Sequence, residues 1–187
     1  MASARRLVAI GLVLCAGLAI LGIASVAAQP DLRDQPTGPA VIDAMLRLAE
    51  VAPDDVVYDL GCGDGRVLIT AARKLGARGV GVDPDPGHLR QANENARLAR
   101  LTDRVRFVQA DVLDADVRAA TVVVIQVAPA LAGRLGPKLH ADLEPGTRIV
   151  STLQGLGGDW RPERTSRIGE REIFLWRVPP RGAEAGR

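Results

Sequence analysis

Asp59-Leu60-Gly61-Cys62-Gly63-Asp64-Gly65 follows the apolar run Val56-Val57-Tyr58 and precedes an amphipathic stretch at residues 66–75. The three pieces read as strand, glycine loop and helix. Gly61 and Gly63 let the backbone turn sharply and approach a ligand where a Cβ would clash. The helix aims its first N–H groups at the same place. Asp59 closes the strand with a carboxylate, which disfavours a pyrophosphate and favours a cationic ligand. Spacing separates two cofactor classes. A dinucleotide loop, G-x-G-x-x-G, needs its third glycine at position 66, where Arg66 stands; here the third glycine is Gly65. Either pattern is weak alone, and a tight turn with no ligand is the plain alternative.

Outward from this loop the chain alternates between apolar runs of strand length and helical patterns. A helix is expected over residues 40–50, a strand over Val56–Leu60, a helix over Arg66–Leu75 stopped by Gly76, and a strand over residues 79–82 ending at Asp83. A helix at residues 86–101 and a strand at Val105–Gln109 follow. Residues 119–127 form the most β-branched run and predict a buried central strand. A helix at residues 129–143 is weakened by Gly133, Gly136 and Pro137, and strands are expected at residues 147–153 and 170–178. This rhythm predicts an α/β, Rossmann-like, doubly wound and mostly parallel sheet in a single domain spanning residues 36–178.

In such sheets ligands bind beyond the carboxyl ends of the strands. Acids stand at three successive ends: Asp59, Asp83 and Asp111. Asp83 is placed to accept hydrogen bonds from ribose hydroxyls, or else is a solvated turn residue. Asp111 is placed to receive an adenine amino group, with the Val112 N–H near the ring, or else caps a helix. Asp85 reads as the cap of the next helix. A nucleoside with a cationic tail satisfies all three acids, and S-adenosylmethionine (SAM) is such a molecule. The cofactor-binding candidates are therefore Asp59, Gly61, Cys62, Gly63, Asp83, Asp111 and Val112. Gln126, just after the central strand, is a further strand-end candidate for a polar contact, against the alternative of a solvent-facing strand end. His88 and His140 read as surface helix residues, and Cys62 has no second cysteine in the domain with which to hold a metal.

Val57-Tyr58-Asp59-Leu60-Gly61-Cys62-Gly63-Asp64-Gly65 resembles motif I of the class I SAM-dependent methyltransferases. Gly79-Val80-Gly81-Val82-Asp83 resembles their acidic second motif, and Ala92 with Asn95 their A-x-x-N. The chain is similar, more narrowly, to a bacterial group related to the membrane-associated protein-lysine methyltransferases of mitochondria. Pro36-Thr37 with Val41-Ile42 and Met45-Leu46, the stretch Leu143-Glu144-Pro145-Gly146-Thr147-Arg148-Ile149-Val150-Ser151, and Gly158-Asp159-Trp160-Arg161-Pro162 carry that likeness. Gln126-Val127-Ala128-Pro129 and Thr152-Leu153-Gln154 stand where the group usually shows an aromatic Y-L-L-P-like stretch and a His with a Phe. The resemblance implies methyl transfer from SAM to a protein lysine or another nucleophile, with Gln126 as the candidate at the methyl-acceptor pocket. A protein that binds SAM or a related nucleoside without turnover is the alternative, and an NAD-linked oxidoreductase is disfavoured by Arg66.

Residues 7–28 form an uncharged apolar run after Arg5 and Arg6, with small residues at its end. The expectation is a signal peptide or, if uncleaved, a membrane anchor, with a linker at residues 29–35 and the domain outside the cytoplasm. A disordered tail is expected at residues 179–187. Arg5 and Arg6 supply the whole net charge of +2, so the chain without its first 28 residues is formally neutral. Aromatics make up only 3%. Neither fact suits a binder of nucleic-acid backbone or stacked bases, and no nucleic-acid partner is expected. The expected partner is the methyl acceptor itself, a protein or a small molecule.

Overall fold

A computed structural model describes residues 37–181. The expected leader and linker at residues 1–35, and residues 182–187 of the expected tail, lie outside the described residues. Eleven elements follow in the order α1 (Pro39–Leu48), β1 (Val56–Leu60), α2 (Arg66–Leu75), β2 (Arg78–Asp83), α3 (Pro86–Leu98), β3 (Val105–Gln109), β4 (Val122–Ile125), α4 (Pro129–Asp142), β5 (Arg148–Ser151), β6 (Arg164–Ile168) and β7 (Arg171–Arg177). They build one seven-stranded sheet in the order β3-β2-β1-β4-β5-β7-β6. The pairs from β3 to β5 are parallel, and β7 runs antiparallel to both β5 and β6. Strand order reverses beside β1, whose neighbours are β2 and β4. That switch point is where an open α/β sheet leaves a crevice.

The helices start and stop where local chemistry directs them. Gly65, at φ 76°, turns the chain into α2, and Gly76, also at φ 76°, ends it with its N–H donated to Ala72 O. Asp85 caps α3 by accepting from the Gly87 and His88 N–H groups, with Pro86 in the first turn. One face of the sheet is covered by α1, α2 and α3, which bury Val57, Val124, Val150 and Leu175. The opposite face packs Tyr58, Val123, Ile125, Ile149 and Trp176 under α4 and irregular chain. The crossovers at residues 110–121 and 152–163 carry no helix.

Expectation and structure differ at several boundaries. The central strand expected over residues 119–127 forms only over Val122–Ile125. Ala120 is instead turned by a bond to Val117 O. The helix expected to residue 101 ends at Leu98, and the one expected to begin at residue 40 begins at Pro39. Strand β6 was not expected at all. Arg164-Thr165-Ser166-Arg167-Ile168 is a polar edge strand, paired with β7 alone, and so lacks an apolar signal. Arg181, in the stretch read as tail, pairs with Glu144.

At the amino ends of the parallel strands one acid ties the layers together. Asp55 accepts from the Thr121 hydroxyl at 2.6 Å, from the Ala52 N–H at 2.8 Å and from the Arg148 guanidinium. Arg148 also donates to the carbonyls of Ala49 and Glu50, each at 3.0 Å. Burial pushes the Asp55 carboxyl up, yet these donors together hold it below the usual carboxylate range.

Candidate functional site

The glycine loop sits at the switch point, and its three glycines meet three different needs. A Cβ on Gly61 (φ 81°) would stand 2.3 Å from the Gln126 carbonyl oxygen, so this glycine lets β1 pass close to the end of β4. A Cβ on Gly65 would stand 2.5 Å from the Phe107 ring, which is wedged beneath the loop from β3. Gly63 (φ 52°) alone faces open space. Gly61 thus has a packing role at β4, and Gly63 is the loop residue whose Cβ side is open.

The loop is held from below. Asp83, at the end of β2 and 5% exposed, accepts the Gly63 N–H on Oδ2 at 2.9 Å. Its Oδ1 accepts the Asp85 N–H at 2.9 Å and lies 3.2 Å from His88 Nδ1. Each carboxylate oxygen offers two lone pairs, so Asp83 Oδ2 keeps acceptor capacity beyond the Gly63 N–H. Asn95 on α3 donates to the Asp64 carbonyl at 3.0 Å, and Ala92, one turn earlier, packs under Gly65. Arg66 grips the Asp64 carboxylate, and its hydrogen bonds hold that group below the usual carboxylate range. Residue chemistry alone had not found Phe107, Asn95 or Arg66 as supports of the loop. The Cys62 side chain faces inward against Gly81, and burial pushes its thiol far up, which does not suit a nucleophile.

Asp59 is the anomaly. It is fully buried, and neither carboxylate oxygen has a hydrogen-bond partner among the described residues. A buried carboxylate without a partner is costly. Burial, then the charges of Asp83 and Asp64, push it up to about 8. Its strand register, Asp59 opposite Val124, puts it on the face covered by α1. Gln126 turns toward the same face: its side-chain nitrogen lies 3.9 Å from Met45 Sδ on α1, and its own N–H donates to Leu60 O.

Beyond β3, Asp111 makes a local turn rather than a helix cap. One oxygen accepts the Leu113 N–H at 2.9 Å, and its carbonyl accepts the Asp114 N–H. Its second carboxylate oxygen and the N–H of buried Val112 have no partner among the described residues. His88 is largely exposed. His140 packs edge-on to Trp160, away from the loop.

Known proteins are similar to this chain in sequence and fold. A family model described as the ANTKMT methyltransferase domain matches residues 59–164. A protein-lysine N-methyltransferase of Saccharolobus islandicus is 38% identical over 134 residues, covering 71% of this chain and 83% of that protein. The crystal structure of an RNA methyltransferase from Salinibacter ruber, in complex with S-adenosyl-L-homocysteine, aligns at a TM-score of 0.75. The two share 43% identity over 78% of this chain and 94% of that one. A SAM-dependent methyltransferase from Thiobacillus denitrificans, with the same ligand, aligns at a TM-score of 0.56. It is 26% identical over 63% of this chain and 49% of that one.

Proposed function

The chain belongs to the ANTKMT methyltransferase-domain family and is a SAM-dependent class I methyltransferase; from that premise we propose that it methylates lysine side chains of a protein. The observation that carries the acceptor class is the 38% identity to a protein-lysine N-methyltransferase across 83% of that protein. The formal neutrality of the chain beyond residue 28 supports it against an RNA acceptor, the reading that the Salinibacter ruber relative favours.

The residues fit the cofactor. The partnerless Asp59 carboxylate suits a cationic tail, open Gly63 leaves room for backbone approach, and Val112 N–H with the second oxygen of Asp111 suits an adenine edge. The order of these groups across the sheet matches the order of the parts of SAM. Asp111 beyond β3 would meet adenine, Asp83 on β2 the ribose, and Asp59 on β1 the charged tail. The acceptor would then approach from the β4 side, and Gln126 stands at the border of that side. When bound, SAM supplies an activated methyl whose transfer is an in-line displacement. The chain's own work is to hold, align and exclude water. Asp59 compensates positive charge, Asp83 fixes the loop and the ribose together, and Gln126 offers an amide to an incoming amine.

The test is methyl transfer from SAM labelled in its methyl group into a cell extract of protein and RNA, with the protein hydrolysed in acid and the RNA digested enzymatically to nucleosides. Label in methylated lysine is expected; label confined to nucleosides would overturn the acceptor class. The leader reading supports a cell-envelope location. Fractionation is expected to find the chain in membranes or with an N-terminus near Gln29, and an intact chain in the cytosol would overturn it.

A further inference from the structure

Helix α4 contains three residues that a helix ordinarily avoids: Gly133, Gly136 and Pro137. The site described so far gives them no role. Their surroundings do. A Cβ on Gly136 would stand 1.7 Å from the Leu156 carbonyl oxygen, inside its van der Waals envelope. On the loop side Gly157, at φ 85°, brings its Cα so close that a Cβ would stand 2.4 Å from the Gly133 carbonyl oxygen. That carbonyl is the one whose helical partner, the N–H four residues on, is missing because position 137 is proline. The backbone of residues 156–157 is therefore seated in a notch cut into α4 by two glycines and a proline.

The seat fixes one end of an arch. Leu156 is fully buried there. At the other end Ser151 donates its hydroxyl to the Ile125 carbonyl at 2.8 Å and accepts the Leu153 N–H at 3.0 Å. Thr152 and Leu153 are half-buried, and Gln154 and Gly155 exposed. This arch follows the carboxyl end of β5, next to the end of β4, on the side from which the acceptor would approach in the proposed function. Below the seat, Trp160 lies edge-on to His140 of α4, with ring centroids 5.5 Å apart, and Trp176 Nε1–H donates to the Trp160 carbonyl at 3.0 Å.

We propose that Gly136 and Gly157 are positioning residues of the methyl-acceptor side: their contact across α4 holds residues 152–155 where the acceptor must pass. The proposal rests on the methyl-transfer geometry of the preceding section. The notch contains its own control, because a Cβ on Gly133 meets nothing within 4 Å.

The test compares full-length Gly133→Ala, Gly136→Ala and Gly157→Ala with the parent. SAM affinity is measured by calorimetry, and total methyl label is followed against increasing cell-protein extract. Gly136→Ala and Gly157→Ala are expected to keep SAM affinity within about twofold. Their transfer rate at limiting extract should fall about 10- to 100-fold, the scale of a misplacement near 1 Å, with half-saturation moved to higher extract. Gly133→Ala is expected to match the parent. If Gly136→Ala does not fold, Gly157→Ala reads the same contact from the loop side. Parent-like transfer in folded Gly136→Ala or Gly157→Ala would overturn the proposal, as would equal losses in Gly133→Ala. Total label is read here, whatever its chemical form, so a failure of the lysine reading is seen separately in the hydrolysate.

Discussion

Asp59 concentrates the electrostatics of the site on one residue. Its folded-state carboxyl is raised to about 8, above the ordinary value of 3.8. The folded apo chain thus binds a proton that the unfolded chain releases across this range. The resulting stability is fully present below about pH 4 and is lost as pH rises toward 8. Asp59→Asn removes that loss: its melting temperature is expected to exceed the parent's at pH 9 and to approach it at pH 5. A cationic ligand favours the ionised carboxylate. SAM binding near neutral pH is therefore expected to release a proton and to strengthen as pH rises to about 8. Calorimetry in two buffers of different ionisation enthalpy measures this, and proton release unchanged in Asp59→Asn would refute the assignment. Gly63→Val places a branched side chain at φ 52° in the open part of the loop. It is expected to weaken SAM at least about 100-fold, equivalent to about 2.7 kcal/mol, in a chain that still folds. The glycine spacing made this loop legible in the sequence. It could not tell Gly63, open to a ligand, from Gly61 and Gly65, which are needed by Gln126 and Phe107, because those partners are distant in the chain.

At the level of elements, β1, α2 and β3 form over the residues their patterns predict, since each has an apolar period and a clear stop. Strand β4 is shorter than its β-branched composition suggests. Thr121 is instead engaged with Asp55, its hydroxyl giving the Oδ1 bond. Helix α4 forms in spite of Gly133, Gly136 and Pro137, whose spacing reads as weakness until Leu156 and Gly157 are seen against them. The Asp55–Arg148 pair links β1 to β5 at the end opposite the site. Arg148→Ala removes the guanidinium from Asp55, which keeps only the neutral Thr121 and Ala52 donors, and from the Ala49 and Glu50 carbonyls. It is expected to cost about 3–5 kcal/mol, the range for breaking a buried ion pair, in urea unfolding. A loss below about 1 kcal/mol, the range of an exposed pair, would contradict that account. SAM affinity of the folded variant should stay near the parent's, because the pair touches no residue of the loop.

Over the whole described chain, three helices cover one face of the sheet, and α4 shares the other with irregular segments. The α/β alternation and the parallel core were legible because every strand from β1 to β5 carries an apolar run. The antiparallel end of the sheet was only half legible: β7 has a buried Ile-Phe-Leu-Trp run, whereas β6 is polar and pairs on one side. The acid at each of three strand ends was legible for the same reason the strands were. The seat of residues 156–157 on α4 was not, because it is made through backbone contacts that side-chain chemistry does not announce. The most direct measurement is methyl transfer from tritium-labelled SAM into a cell extract of protein and RNA by the parent and by Gly63→Val, with the protein hydrolysed to amino acids and the RNA digested enzymatically to nucleosides. The account predicts label in methylated lysine with the parent and none with Gly63→Val. SAM bound tightly by the parent with no label transferred, or label found only in nucleosides, would contradict it.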